Sequence, residues 1–149
     1  MYPQETTDVA IIGAGPSGSS AAAWLAQRGF DVQVIERNRF PRFSIGESLL
    51  PQCMVHLEAC GLLGDAEAGN FQLKNGAAFN WRGRMTAVDF RNKFTPGPGT
   101  TWQIERADFD HRLIEGAQRY GAKVEFETLV ETFTANAERP TLTLVGPDG

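Results

Sequence analysis

Runs of apolar residues separated by glycines give the first forty residues a pattern of alternating strand and helix. A short apolar run predicts a buried strand over residues 8–12. Small residues on one side of residues 16–28 predict a helix that Gly29 ends, and residues 31–36 predict a second strand. Strand, helix and strand in this order predict a βαβ unit, with a right-handed crossover and parallel strands.

Later elements continue this alternation, with glycine and proline marking the breaks. Residues 37–51 are loop-like at first because they contain two prolines and a glycine. Helical spacing of apolar residues predicts helices over residues 48–60 and 106–120. Strands are predicted over residues 71–81 with a break at Asn75-Gly76, and over residues 100–105, 123–127, 131–135 and 141–145. The strand over residues 123–127 is expected to rejoin the parallel sheet, and the last two to form a hairpin or meander.

Composition and charge are those of an ordinary globular chain of about one domain. Of its 149 residues, 42% are hydrophobic and 21% charged, and 14 basic against 18 acidic residues give a net charge of −4. This mild acidity argues against a nucleic-acid partner, which requires clustered positive charge. The uncharged run over residues 9–26 has glycines, a proline and serines in its middle, so it does not predict a membrane span.

The two cysteines and the N-terminal residues give information about the cellular location of the protein. Cys53 and Cys60 fall in one predicted helix, about 10 Å apart along its axis, which is too far for a disulfide. Free thiols indicate a reducing cytoplasm. Residues 1–8 lack the basic segment of a signal peptide, which agrees with a cytoplasmic location.

A Gly-x-Gly-x-x-Gly turn joins the first predicted strand to the helix. Gly13 allows the tight turn, Gly15 lets the backbone approach a pyrophosphate, and Gly18 lets helix and strand pack closely. The N-terminus of the helix offers free N–H groups and the positive end of its dipole to phosphate. The candidate cofactor-binding residues of this turn are Gly13, Gly15, Pro16, Ser17 and Gly18.

Glu36 lies at the end of the second predicted strand. Its carboxylate is placed to accept hydrogen bonds from a ribose 2′-OH, and it would repel a 2′-phosphate. Together with the glycine turn it predicts a dinucleotide-binding site, against the alternative of a glycine-rich turn in an unrelated α/β protein. FAD and NAD enzymes share this pattern, so these residues alone leave both cofactors open.

The early position of the motif and its continuation into Glu36-Arg37 resemble the FAD-binding arm of the glutathione-reductase-like flavoproteins. The resemblance implies an α/β fold: a Rossmann-like FAD-binding βαβ unit with a parallel sheet, then a β-meander and the start of a substrate-domain sheet. It also implies FAD as the cofactor.

The sequence FPRFSIGESLLP over residues 40–51 is similar to flavin-dependent halogenases and their close relatives. The geranylgeranyl reductases, another related family, usually have Cys-Gly-Gly where this chain has Ile45-Gly46-Glu47. In the halogenases the Gly-Glu-Ser loop touches the flavin. The arginines just before this loop, Arg37 and Arg42, could bind the cofactor or could simply belong to a solvated charged loop. The resemblance therefore implies these further cofactor-binding residues: Arg37, Arg42, Gly46, Glu47 and Ser48.

Two later segments extend the resemblance. The spacing of Lys74, Gly76 and Phe79 is similar to the halogenase segment that holds the essential lysine. In that family the lysine lies at the far end of a tunnel from the flavin, where it binds hypochlorous acid or forms a chloramine. The resemblance therefore implies Lys74 as the catalytic residue. The alternative is an exposed lysine beside a turn. Residues 102–113, WQIERADFDxxL in pattern, resemble a flavoprotein segment whose arginine contacts the cofactor, and Arg106 is the match.

The resemblance implies an FAD-dependent, halogenase-like oxidoreductase. Reduced flavin, O2 and a halide would halogenate an aromatic or pyrrole substrate, and a separate flavin reductase would be the partner. The first alternative is a flavin-dependent monooxygenase (a hydroxylase) or reductase of the same superfamily, and the second a non-catalytic dinucleotide-binding fragment. Clustered aromatics suit the walls of a substrate site or a simple core: Phe79, Trp81, Phe90, Phe94 and Trp102. No metal site is expected.

The flavoproteins that this chain resembles are much longer, and their Trp-x-Trp-x-Ile-Pro motif does not occur in these 149 residues. Residues 1–149 are therefore expected to be the N-terminal part of an FAD-binding domain, inactive alone, with residues 68–104 contributing to the substrate-side sheet. Gly64-Asp65 is predicted to be a turn rather than the family's later Gly-Asp motif, and Asp148-Gly149 a hairpin turn.

Overall fold

The computed structural model describes residues 5–135 and 139–147, which form a mixed α/β fold. The predicted hairpin turn at Asp148-Gly149 lies outside the described residues. In chain order the elements are β1 (Val9–Ile12), α1 (Pro16–Ala26), β2 (Val32–Ile35), α2 (Gln52–Ala59), α3 (Leu63–Glu67), β3 (Gln72–Lys74), β4 (Gly76–Trp81), β5 (Arg84–Asp89), β6 (Thr101–Gln103), α4 (Arg106–Arg119), β7 (Lys123–Glu125), β8 (Leu129–Thr134) and β9 (Thr141–Val145).

A three-stranded parallel sheet in the order β1-β2-β7 carries the predicted βαβ unit. Val9 pairs with Val32, and Val34 pairs with Val124, so both predicted parallel contacts are confirmed. Helix α1 packs against β2 and α4, and small side chains such as Ala22 allow the close approach. The apolar face of α4 completes the core with three buried residues at successive helical turns, Phe109, Leu113 and Ala117.

The remaining strands form three antiparallel pairs: β3 with β6, β4 with β5, and β8 with β9. The last pair is the predicted hairpin, and the break before Gly76 separates β3 from β4 as predicted. Strand β5 has no counterpart among the sequence predictions. Residues 68–104 therefore contribute two small sheets outside the parallel one.

Two predictions about helices are wrong. Helix α2 begins at Gln52 rather than at residue 48, because residues 47–49 are extended beside β6. There the Ile104 N–H donates to the Glu47 carbonyl oxygen at 2.7 Å, and the Leu49 N–H donates to that of Trp102 at 3.2 Å. Gly64-Asp65 is not a turn, since it lies within the short helix α3. None of the described helices is long and apolar enough to cross a membrane.

Candidate cofactor site

The glycine turn sits where the carboxyl end of β1 meets the N-terminus of α1. Gly13 has a φ of +96°, which favours glycine, and its N–H donates to the Ile35 carbonyl oxygen at 2.8 Å. A Cβ on Gly18 would lie 1.9 Å from the Gly13 carbonyl oxygen, so only glycine permits this packing of helix on turn. Gly15 caps α1 and Pro16 opens it, while Ser17 is exposed in the first turn. The free N–H groups of the first turn of α1 are of the kind that can bind an anion.

Glu36 is 4% exposed and joins the end of β2 to the glycine turn. Its Oε2 accepts a hydrogen bond from the Ala14 N–H at 2.9 Å. Its Oε1 accepts from the Asn38 N–H at 2.9 Å and from Asn38 Nδ2 at 3.1 Å. A carboxylate has about four acceptor positions, so three donors leave capacity for a ribose hydroxyl. Arg37 follows as an exposed side chain, with no hydrogen bond or ion pair among the residues that the structure describes.

Two arginines from distant segments meet beside Gly15. A Cβ on Gly15 would lie 3.7 Å from Arg42 Nη2 and 3.9 Å from Arg106 Nη2. Both guanidinium groups pair with Asp110, which is fully buried in α4. The hydrogen bonds that Arg106 donates to the Asp110 carboxylate are the main cause that raises the pKa of Arg106, which stays cationic. Sequence reasoning missed Asp110, although its position one helical turn after Arg106 was a signal.

The Gly46-Glu47-Ser48 loop lies against the same arginines. Arg106 Nη1 donates to the Ile45 carbonyl oxygen at 2.5 Å. The same nitrogen would be 3.2 Å from a Cβ on Gly46, whose φ is +95°. A cleft of about 520 Å³ opens beside the arginines, between residues 41–47 and 103–107. Glu47 lines it, and Ser48 follows next in the chain.

Lys74 reaches this loop from the end of β3. Its amine donates to Ser48 Oγ and, at 2.9 Å, to the Leu49 carbonyl oxygen. It also lies 5.1 Å from the centre of the Phe90 ring, and its side chain is half-buried. The other predicted aromatics divide, since Trp102 packs on the core while three are exposed: Phe79, Trp81 and Phe94.

These residues fit a dinucleotide. Arg42 Nη1 is buried, and although it lies 3.0 Å from Asp110 Oδ2 it makes no well-aligned hydrogen bond within residues 5–135 and 139–147, so the Arg42 guanidinium keeps hydrogen-bonding capacity for a phosphate. The missing side chain of Gly15 leaves space between the turn and both guanidinium groups. The diphosphate would lie there, held by the N-terminus of α1, Arg42 and Arg106, with Glu36 at the ribose. Among the described residues, no group of three or more His, Cys, Asp or Glu side chains could hold a metal ion.

Comparisons with known proteins agree with FAD as the dinucleotide. Residues 6–148 match the family model described as an FAD binding domain. A tryptophan 2-halogenase from Chondromyces crocatus is 35% identical over 141 residues, which cover 94% of this chain and 26% of that protein. A 1H-pyrrole-2-carbonyl-[peptidyl-carrier protein] brominase from Pseudoalteromonas luteoviolacea is 36% identical over 125 residues, or 84% of this chain and 30% of that protein.

Solved structures match the backbone closely. A flavoprotein/dehydrogenase from Cytophaga hutchinsonii has a TM-score of 0.89 and 40% identity, covering 95% of this chain and 35% of that one. The myxobacterial chondrochloren halogenase, described as a variant of the FAD-dependent halogenases, has a TM-score of 0.87 and 32% identity, covering 98% and 34%. The chain thus spans between a quarter and about a third of the length of these four relatives.

Proposed function

The chain belongs to the FAD-binding domain family, and on that premise we propose that it forms the FAD-binding, N-terminal part of a flavin-dependent halogenase. One observation carries the proposal: the amine of Lys74 is hydrogen-bonded into the loop that borders the cleft beside the glycine turn. Relatives named as a tryptophan halogenase and a pyrrole-carbonyl brominase support it.

The cofactor, FAD, is held through its diphosphate and ribose as described above. When bound in its reduced form, FAD supplies the two electrons with which O2 and a halide ion become hypohalous acid and water. The Lys74 amine then donates a hydrogen bond to the hypohalous acid, or attacks its halogen and releases water to give a haloamine. The halogen passes as an electrophile to an electron-rich carbon of an aromatic or pyrrole ring, and that carbon loses its proton.

The surrounding assignments belong to the same proposal. Residues 1–149 are part of the FAD-binding domain, and residues 68–104 contribute to the substrate side through β3 to β6. A separate flavin reductase supplies reduced flavin. The two free thiols, Cys53 and Cys60, support a reducing cytoplasm as the compartment.

The test is turnover of the intact protein with FAD, NADH, a flavin reductase, O2 and either chloride or bromide. Tryptophan and a pyrrole-2-carboxyl compound are offered, and mass spectrometry reads the halogen isotope pattern of the product. Lys74→Met keeps the length of the side chain and removes the amine, so it should abolish halogenation while flavin oxidation by O2 continues. Lys123→Met is the matched control, because Lys123 is an exposed lysine that pairs with Asp31 on the parallel sheet.

The outcomes separate the candidates. Halogenated product from the wild type and from Lys123→Met, and none from Lys74→Met, supports the proposal. Retained halogenation in Lys74→Met would remove Lys74 from the chemistry. A product heavier by one oxygen atom and independent of halide would instead identify a hydroxylase.

A further inference from the structure

We propose that Asp110 is a positioning residue that holds Arg42 and Arg106 together against the diphosphate of the dinucleotide. The inference rests on the FAD-binding part of the proposed function and does not require halogenation. Asp110 is fully buried and does not itself reach the cleft, so it acts through the two arginines.

The Asp110 carboxylate lies between two guanidinium groups of like charge. Asp110 Oδ2 lies 3.0 Å from Arg42 Nη1 and 2.8 Å from Arg106 Nη2, while Oδ1 accepts from Arg106 Nε at 2.8 Å. The two guanidinium side chains are 18% and 14% exposed, so water screens their mutual repulsion only partly. The shared carboxylate offsets that repulsion and leaves the cluster one positive charge beside Gly15.

The Asp110 carboxylate also joins segments that are distant in the chain. Arg42 comes from the loop after β2, and Arg106 is the first residue of α4. Arg106 also donates to the Ile45 carbonyl oxygen, which fixes the Gly46 loop. One carboxylate therefore sets the positions of both cationic groups that face the glycine turn.

The cluster of Arg42, Arg106 and Asp110 does not use all of its hydrogen-bond donors. An ion network that served only the fold would be expected to satisfy its buried donors. Arg42 Nη1 instead lies within 3.0 Å of Asp110 but outside hydrogen-bond geometry, and has no other hydrogen-bond partner in the described part of the chain. Arg42 Nη2 faces the space that a Cβ on Gly15 would fill. Arg42 Nη2 is therefore the donor available to a phosphate oxygen in that space.

The experiment measures ADP and adenosine binding to the intact apoprotein by calorimetry at fixed salt. ADP carries the diphosphate and adenosine does not, so their affinity ratio reports the phosphate contacts. Asp110→Asn removes the negative charge and keeps the shape. By Coulomb's law alone the more positive site would bind ADP more tightly, whereas lost positioning weakens ADP by about tenfold and leaves adenosine unchanged.

Asp108→Asn is the matched control, since Asp108 is a half-buried residue of the same helix that pairs with Arg112 and does not line the cleft. It should leave both affinities unchanged. If Asp110→Asn does not fold, Arg42→Gln at the cleft tests the same contact and should also weaken ADP selectively. Tighter or unchanged ADP binding in the folded variants, or equal weakening of ADP and adenosine, would overturn the inference. A wild type that binds adenosine but neither ADP nor FAD would overturn the FAD site as well.

Discussion

Gly18→Ala tests whether the packing of α1 on the glycine turn is what permits dinucleotide binding. In an ordinary helix, alanine is more favourable than glycine by about 1 kcal/mol. At Gly18 the added Cβ would lie 1.9 Å from the Gly13 carbonyl oxygen and 3.3 Å from Ile11 Cγ2. Since real Cβ atoms essentially never come within 3.0 Å of such an atom, helix and turn must separate by about 1 Å. Overpacking of this kind costs about 1–3 kcal/mol, which outweighs the gain in helix propensity.

The separation should affect binding more than folding. It moves the N–H groups at the start of α1 relative to the turn, and hydrogen-bond distances vary over only about half an ångström. A displacement of about 1 Å costs on the order of a hundredfold where groups must be positioned closely. We therefore expect FAD affinity to fall by about that factor, measured by quenching of flavin fluorescence, and the free energy of unfolding in urea to fall by about 1–3 kcal/mol.

Gly64→Ala is the matched control, because Gly64 also lies in a helix and an added Cβ would have no described atom within 4 Å. It should raise the free energy of unfolding by up to about 1 kcal/mol and leave FAD affinity unchanged. If Gly18→Ala matched the wild type in both assays, the steric explanation of the third glycine would be refuted.

Two other variants separate binding from stability. In Gly15→Ala the added Cβ has room, at 3.7 Å from Arg42 Nη2, so the free energy of unfolding in urea should change by no more than about 1 kcal/mol. FAD titration should show strongly weakened binding, because the methyl group occupies the space proposed for the diphosphate. The glutamine of Glu36→Gln has one acceptor oxygen where Glu36 uses two, so the free energy of unfolding in urea should fall by about 2 kcal/mol and the affinity for FAD should weaken. The control Glu131→Gln, at an exposed glutamate, should change neither quantity. Equal stability of the two variants would contradict the hydrogen bonds assigned to Glu36.

The βαβ unit could be predicted because its signals are local. Three signals lie close together in sequence: the apolar run before Gly13, Pro16 at the first helical position, and Glu36 directly after the second strand. Each also has one physical reading: a buried strand, a helix start and an acid at a strand end. The structure confirms the parallel pairing that these signals predict.

Residues 47–51 show where local reasoning fails. Apolar spacing predicts a helix from Ser48, yet its backbone pairs with Gln103, far along the chain. Backbone hydrogen bonds with a distant strand outweigh a weak helical preference, and no local pattern records them. Strand β5 was not predicted because its conformation also depends on a partner strand. All six of its residues are exposed, so no buried apolar pattern marks it, and it is paired with β4.

The arginine cluster contains residues that local sequence indicates, Arg42 and Arg106, and one whose role depends on contacts between distant segments, Asp110. This difference explains why the sequence alone does not identify Asp110. Helical spacing alone does not distinguish Asp110 and Arg106 from the half-buried pair Asp108 and Arg112. What distinguishes Asp110 is its complete burial and its second partner, Arg42, and both arise only when the loop after β2 folds onto α4. Motifs therefore indicate the groups that we propose to touch the cofactor, whereas the buried carboxylate that pairs with them becomes visible only in three dimensions.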